Sequence, residues 1–294
     1  MGGYISTVAI MIGIYAVVAV GLNIIVGFAG QISLGHAAFF GIGAYASAIL
    51  CTKFGFTFWW ALPAAVIITG LVGTLLGIPS LRVRDDFLAI TTIGINFIVE
   101  SIFLYVPFFG GALGIGGIPT PEFFGTALFG NYFLALVVVV LVVCIWFVHR
   151  FVRSWAGLAT EAMREEETAA GAMGISPVRF KLLAFTLGSA MAGLGGALYA
   201  HYMMFISPEA FGFPVSIMLL SMVVFGGMGK IWGPILGAIV LGSLPEVFRP
   251  LVDYRMLLYG AILLLVIRFQ PQGILGDGSF LMRLFAKGGA RGGR

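Results

Sequence analysis

The sequence predicts an all-α fold, a polytopic membrane helix bundle with 8–10 membrane segments, some of them discontinuous or re-entrant. Two observations predict it. The 294 residues are 60% apolar and only 10% charged, with a mean hydropathy of +1.09, whereas about a quarter of an ordinary soluble domain is charged. Apolar runs close to the roughly 20 residues that a spanning helix needs recur at 5–27, 32–52, 58–79, 87–109, 130–149, 178–206, 213–228, 231–248 and 255–270. The other spanning design, a β-barrel, needs segments that alternate apolar and polar residues, and these are absent from the sequence.

The first run has no basic stretch before it and is too long for a cleaved leader, so it reads as the first membrane helix. Across 21–50, Asn23, Gln31, Ser33 and His36 lie among Gly27, Gly30, Gly35, Gly41 and Gly43. Lipid tolerates irregular backbone only where protein or a water-filled cavity shields it. The segment therefore reads as a broken helix lining a path, or as a tight packing surface whose polar groups bond across helices. Both readings stay open. The string GIGAYA follows no strand, which excludes a dinucleotide fingerprint.

Asn96 and Glu100 stand one helical turn apart in the fourth run and are candidates for a pathway or gate, with an interfacial position the alternative for Glu100. The loop after it is rich in Gly and Pro, suited to docking a partner or to serving as a plain connector. Gly188, Ala192, Gly196 and Ala200 form a ridge of small residues for close helix packing, and His201 at its end is expected at the interface. The stretch VFGGMGKIWGPILGA at 224–238 is a second glycine-rich break that loosely echoes the first, a feature of transporters with internal repeats. Gly229-Lys230 lacks the spacing of a phosphate loop, so no nucleotide site is expected. Cys51 and Cys144 read as apolar fillers, and no metal-ligand spacing surrounds them.

Basic residues divide the loops. Arg82, Arg84, the loop from Arg150 to Lys181, Lys230 and the tail (Arg268, Arg283, Lys287, Arg291, Arg294) are expected on the cytoplasmic side; the loops at 53–57, 110–130 and 207–214 hold almost no basic residues. That fits nine crossings with the N-terminus outside. Arg249 and Arg255 do not fit, although Asp253 stands beside them. The net charge of +4 is met by such a basic membrane face and does not call for nucleic acid.

The segment 149–181 carries nine of the chain's 28 charged residues and must lie in water. Leu158, Ala162, Ala169 and Met173 recur at helical spacing, a narrow apolar stripe suited to a groove on another protein. Glu165 to Glu167 favour the positive end of a short helix, Gly174 its left-handed stop, and Ser176-Pro177 the cap and first turn of the next. On charge alone, a docked helix and an ordinary solvated linker are equally good readings.

The spacing Glu167-x-Ala169-Ala170-x-x-x-Gly174-Ile175 resembles the cytoplasmic coupling motif of ABC importer permeases, with Thr168 interposed as in the branch that imports branched-chain amino acids. The run GQISLGHAAFFGIGAY is similar to the first-half signature of the same family. The resemblance implies a LivM-type membrane subunit: a transmembrane permease domain over 1–276, with 149–181 as coupling loop, and a basic flexible tail over 277–294. It implies a bacterial inner-membrane location, two ATP-binding cassette subunits, a sister permease and a periplasmic solute-binding protein as partners. ATP and Mg would be bound by the partners, so no cofactor and no enzymatic activity are expected here; lipid surrounds the chain and nucleic acid plays no part. Asn23, Gln31, Ser33, His36, Asn96 and Glu100 are the expected pathway residues, and Arg164, Glu165, Glu166, Glu167, Ala169, Ala170 and Gly174 the expected coupling residues. A permease for urea or short amides and a gradient-driven secondary transporter are the alternatives.

Overall fold

A computed structural model describes residues 2–80, 85–123, 125–247 and 273–275, with isolated positions from 257 to 268. Arg82, Arg84, Arg249, Asp253, Arg255, most of the run 255–270 and the 277–294 tail lie outside the described residues.

The chain runs through α1 (Gly2–Asn23), a π-helical turn (Ile24–Phe28), α2 (His36–Thr52), α3 (Phe58–Ser80), α4 (Asp85–Tyr105), α5 (Asn131–Val152), α6 (Trp155–Glu165), α7 (Glu167–Ala172), α8 (Pro177–Met203), α9 (Phe213–Gly226) and α10 (Gly233–Val247). Six stretches are long and apolar enough to cross a membrane, and α2 and α10 are shorter apolar helices. With the two shorter helices counted, eight apolar helices stand among the described residues, against the 8–10 membrane segments expected. Four two-residue strands complete them: β1 (Ile115–Gly116) pairs antiparallel with β4 (Phe205–Ile206), and β2 (Glu122–Phe123) with β3 (Thr126–Ala127).

The small-residue ridge makes α8 the central helix. Gly188 lies against the carbonyl of Gly21 and the side chain of Ile25, Gly193 against Thr69 and the backbone of Gly43, and Gly196 against Phe40 and Ala44. A Cβ at Gly43 would overlap the Gly193 backbone. Helices α1, α2 and α3 therefore approach α8 as closely as their backbones allow, which is how packing without a hydrophobic drive gains its dispersion energy. Beside this contact an aromatic cluster fills the core. Tyr45 stacks on Phe103 with centroids 4.0 Å apart, and Phe211 closes on Phe40 at 5.1 Å.

The two ends differ as the charge pattern predicts. The loops poor in basic residues meet at one end: Lys53 Nζ donates to the Phe108 carbonyl at 2.6 Å, Trp59 Nε1 to that of Glu122 at 2.8 Å, and β1 pairs with β4. We call this the loop end. The charged segment 149–181 lies at the other, between α5 and α8. His201, expected at the interface, lies at the loop end and is buried there, because 27-residue α8 carries its last turn beneath the loop that follows α4. Its Nδ1–H donates to the Pro119 carbonyl at 2.7 Å, leaving Nε2 to accept from the Ser47 hydroxyl at 2.9 Å.

Candidate functional site

Helix α2 holds 17 residues, about 25 Å at 1.5 Å per residue. The hydrocarbon core of a bilayer is about 30 Å thick, so a chain that spans it through α2 carries the glycine-rich break before α2 within it. At that depth every backbone group freed by a break needs a partner within the protein. In the first break Gly30 takes φ +69°, and the Ala29 and Gln31 amides bond back to the Ile24 and Ile25 carbonyls at 3.1 and 3.0 Å. In the second, Gly227 and Gly229 take φ +121° and +75°. The carbonyls of Phe225 and Gly226, freed at the end of α9, accept from the amides of Ile274 and Leu275 at 2.9 and 3.1 Å.

Two side chains tie the breaks together. Asn23, 1% exposed, donates from Nδ2 to the Lys230 carbonyl and accepts at Oδ1 from the Gly229 amide, both at 3.0 Å. It thus satisfies a donor and an acceptor of the second break from the start of the first. Arg164, on α6, donates from Nη1 to the Gly27 carbonyl at 2.5 Å. Its stem lies over Gly30 and its guanidinium beside Gly229, where in each case a Cβ would collide with it. A charged head on a carbonyl makes a strong hydrogen bond, and here it joins the charged segment to both breaks.

From Gly30 to Gln31, Ile32 and Ser33 exposure alternates, with Gly30 and Ile32 outward and Gln31 and Ser33 inward. The side chains of Gln31, Ser33 and His36 are buried with no hydrogen-bond partner; the backbone of Val18 lies beside the His36 ring. An unpaired buried polar group costs about 1–3 kcal/mol. The start of α2 is held differently. Thr92 Oγ1 accepts from the Leu34 amide at 2.9 Å, and Ser216 Oγ accepts from the Ala37 amide at 2.9 Å. Ser216 donates in turn to Asn96 Oδ1 at 3.2 Å, and Asn96 Nδ2 reaches the Phe211 carbonyl at 3.4 Å. Asn96 therefore ties α4 to α9 and the turn before it, and through Ser216 to the Ala37 amide beside His36. Glu100, one turn on, is half-buried toward the loop end with its carboxylate facing Gly212, which caps the positive end of α9.

The charged segment forms two helices rather than the single one expected. Glu166 takes an extended conformation between α6 and α7, so Glu165 ends one helix and Glu167 opens the next. The Ser154 hydroxyl caps α6, accepting from the Gly157 amide at 3.3 Å. Ser176 stands at the cap position of α8 without making a side-chain cap bond, while Gly174 takes φ +83°. Ala159, Met163, Ala170 and Phe180 pack the two helices against α8, and Glu167 pairs with Lys181 at 2.6 Å. Leu158, Ala169 and Met173 of the apolar stripe, with Trp155 and Val178, face outward. Glu165 and Glu166 are exposed beside them.

Thr92 and Ser216 were not among the expected site residues. Thr92 stands four residues before Asn96, one turn down the same face, and that spacing is the signal that marks it. No comparable signal marks Ser216, whose role depends on where α9 meets α2.

A family profile described as the permease component of the branched-chain amino acid transport system matches residues 4–267. The LivM permease protein of the high-affinity branched-chain amino acid system of Salmonella typhimurium is 40% identical, the match covering 91% of this chain and 69% of that protein. The probable LivM of Methanocaldococcus jannaschii is 24% identical over 93% of each chain. LivH of Escherichia coli is 28% identical over 89% of this chain and 91% of its own length. No solved structure matches. Glycine-broken spans, tied to an exposed helical segment and matched over most of their length by permeases, place the chain in the branched-chain amino acid transport permease family.

Proposed function

We propose that this chain is one of two permease subunits in an ATP-driven importer of branched-chain amino acids, resident in a bacterial inner membrane. Two ATP-binding subunits would dock on α6 and α7, and a solute-binding protein on the loop end. The reading rests on the relatives' printed roles and on the exposed Leu158, Ala169 and Met173 beside acids on the charged segment.

One observation carries the mechanism. Arg164 links α6 to the Gly27 carbonyl, and Asn23 links that break to the second. Closure of the ATP-binding partners would displace α6, and the guanidinium would carry the displacement into both breaks. Glycines there allow a backbone change that other residues resist. Gln31, Ser33 and His36, unpaired in the present state, would meet polar partners as the break moves with α6 against the surrounding helices, including the ammonium and carboxylate of a passing zwitterion. Coupled in this way, the chain itself needs no nucleotide site; hydrolysis belongs to its partners.

Reconstitution of the purified transporter in vesicles tests this. ATP-dependent uptake of leucine, isoleucine or valine that requires both ATP-binding and solute-binding partners is expected. Uptake of urea or short amides in their place would change the substrate, and uptake that survives without ATP-binding partners would overturn the coupling.

A further inference from the structure

A groove of about 470 Å³ runs between α2, α3 and α4, toward the loop end. It is separate from the breaks and from Asn96. Its walls are Ile, Leu, Val, Phe and Ala side chains, with Tyr45 the one residue among them that carries a polar group. A zwitterionic solute would find a single hydroxyl here, the buried and unpaired one of Tyr45, and burying the rest of its charge unpaired is strongly unfavourable. Nor does the groove open to water alone. Ile68, Ile98 and Ile102 line it and are exposed on the flank of the bundle, within stretches of α3 and α4 long and apolar enough to cross a membrane. An apolar chain can enter it sideways.

The upper rim is basic. Phe108 lines the groove, and Lys53 Nζ both donates to the Phe108 carbonyl and sits 4.4 Å from the centre of its ring. The bond uses one of three ammonium donors, and Lys53 is exposed. Among the described residues it is the one cation at the loop end, where the charge rule disfavours any. An apolar groove open to lipid with a single ammonium at its head matches the chemistry of a lipid whose phosphate lies at the bilayer surface.

We propose that the groove between α2, α3 and α4 holds one acyl chain of an anionic phospholipid, and that Lys53 binds its phosphate. The site is independent of the transport reading. Native mass spectrometry tests it on the full-length chain, purified with the subunits that accompany it and titrated with phosphatidylglycerol. Lys53→Gln, an exposed change that leaves folding intact, lowers binding about fivefold, as expected for one basic residue against an anionic headgroup. Ala46→Phe, which fills the groove, lowers it as well, and phosphatidylcholine binding responds less to Lys53→Gln. Unchanged binding in Lys53→Gln overturns the proposal. So does an Ala46→Phe chain that keeps its lipid, or one that sheds a partner subunit while its lipid count stays the same, since a protein helix would then be the occupant.

Discussion

The Arg164 guanidinium donates to the Gly27 carbonyl at 2.5 Å, so a side chain from an exposed helix ends inside the break of a membrane helix. Its shape matters, because the planar fork can hold the carbonyl and still lie along Gly229. Arg164→Ala and Arg164→Lys are expected to leave the chain inserted and ATP hydrolysis active while uptake falls at least about tenfold, a loss of some 1.4 kcal/mol of coupling. Parallel hydrolysis and uptake assays check this. Equal losses in both would mean that Arg164 serves assembly alone.

Asn23 satisfies two backbone groups of the second break. Asn23→Ala leaves both unpaired, at about 1–3 kcal/mol each, and is expected to lower the melting temperature of the purified complex. Asn23→Asp keeps the acceptor for Gly229 but sets a second carboxyl oxygen against the Lys230 carbonyl at a buried position, so its melting temperature should also fall below that of the unmodified complex.

Backbone contact between Gly43 and Gly193 leaves no space for a side chain. Gly43→Val is expected to abolish stable insertion, read as loss of the full-length band from purified membranes. Gly171→Ala is the control. Nothing stands within 4 Å of its would-be Cβ in α7, and it should be neutral or stabilising by about 0.5–1 kcal/mol.

The Glu167–Lys181 pair joins α7 to α8 with the Glu167 side chain 42% exposed. Solvent screening limits such a pair to about 0–1 kcal/mol, so Glu167→Gln should change thermal stability little. It should still lower the number of solute molecules imported per ATP, as a loosened α7 transmits less displacement. A normal import ratio would remove Glu167 from the coupling path.

Spans, ends and the central ridge were legible because each depends on local pattern: run length for α1 and α5, loop charge for the segment 149–181, small residues every fourth position for α8. The glycine breaks were legible for the same reason. Their connection was not. Asn23 and Gly229 lie over 200 residues apart, and periodicity carries no information on which breaks meet. Division of the charged segment at Glu166 was equally hidden, since three successive acids fit the start of one helix as well as the junction of two. For Asn96, a polar residue in a span reads alike whether it lines a path or bonds across helices. Ser216 and Phe211 supply the cross-link, which neither the spacing nor the run length announces.

The central claim is that α6 and the first break move as one body. Glu161 on α6 and Ile32 in the break are both exposed and accept spin labels as Glu161→Cys and Ile32→Cys. Their separation, measured by electron–electron double resonance in the assembled transporter, should be the same with and without bound nucleotide, and should change with nucleotide once Arg164→Ala is added. A wild-type separation that shifts during productive transport, unaffected by Arg164→Ala, would contradict the account.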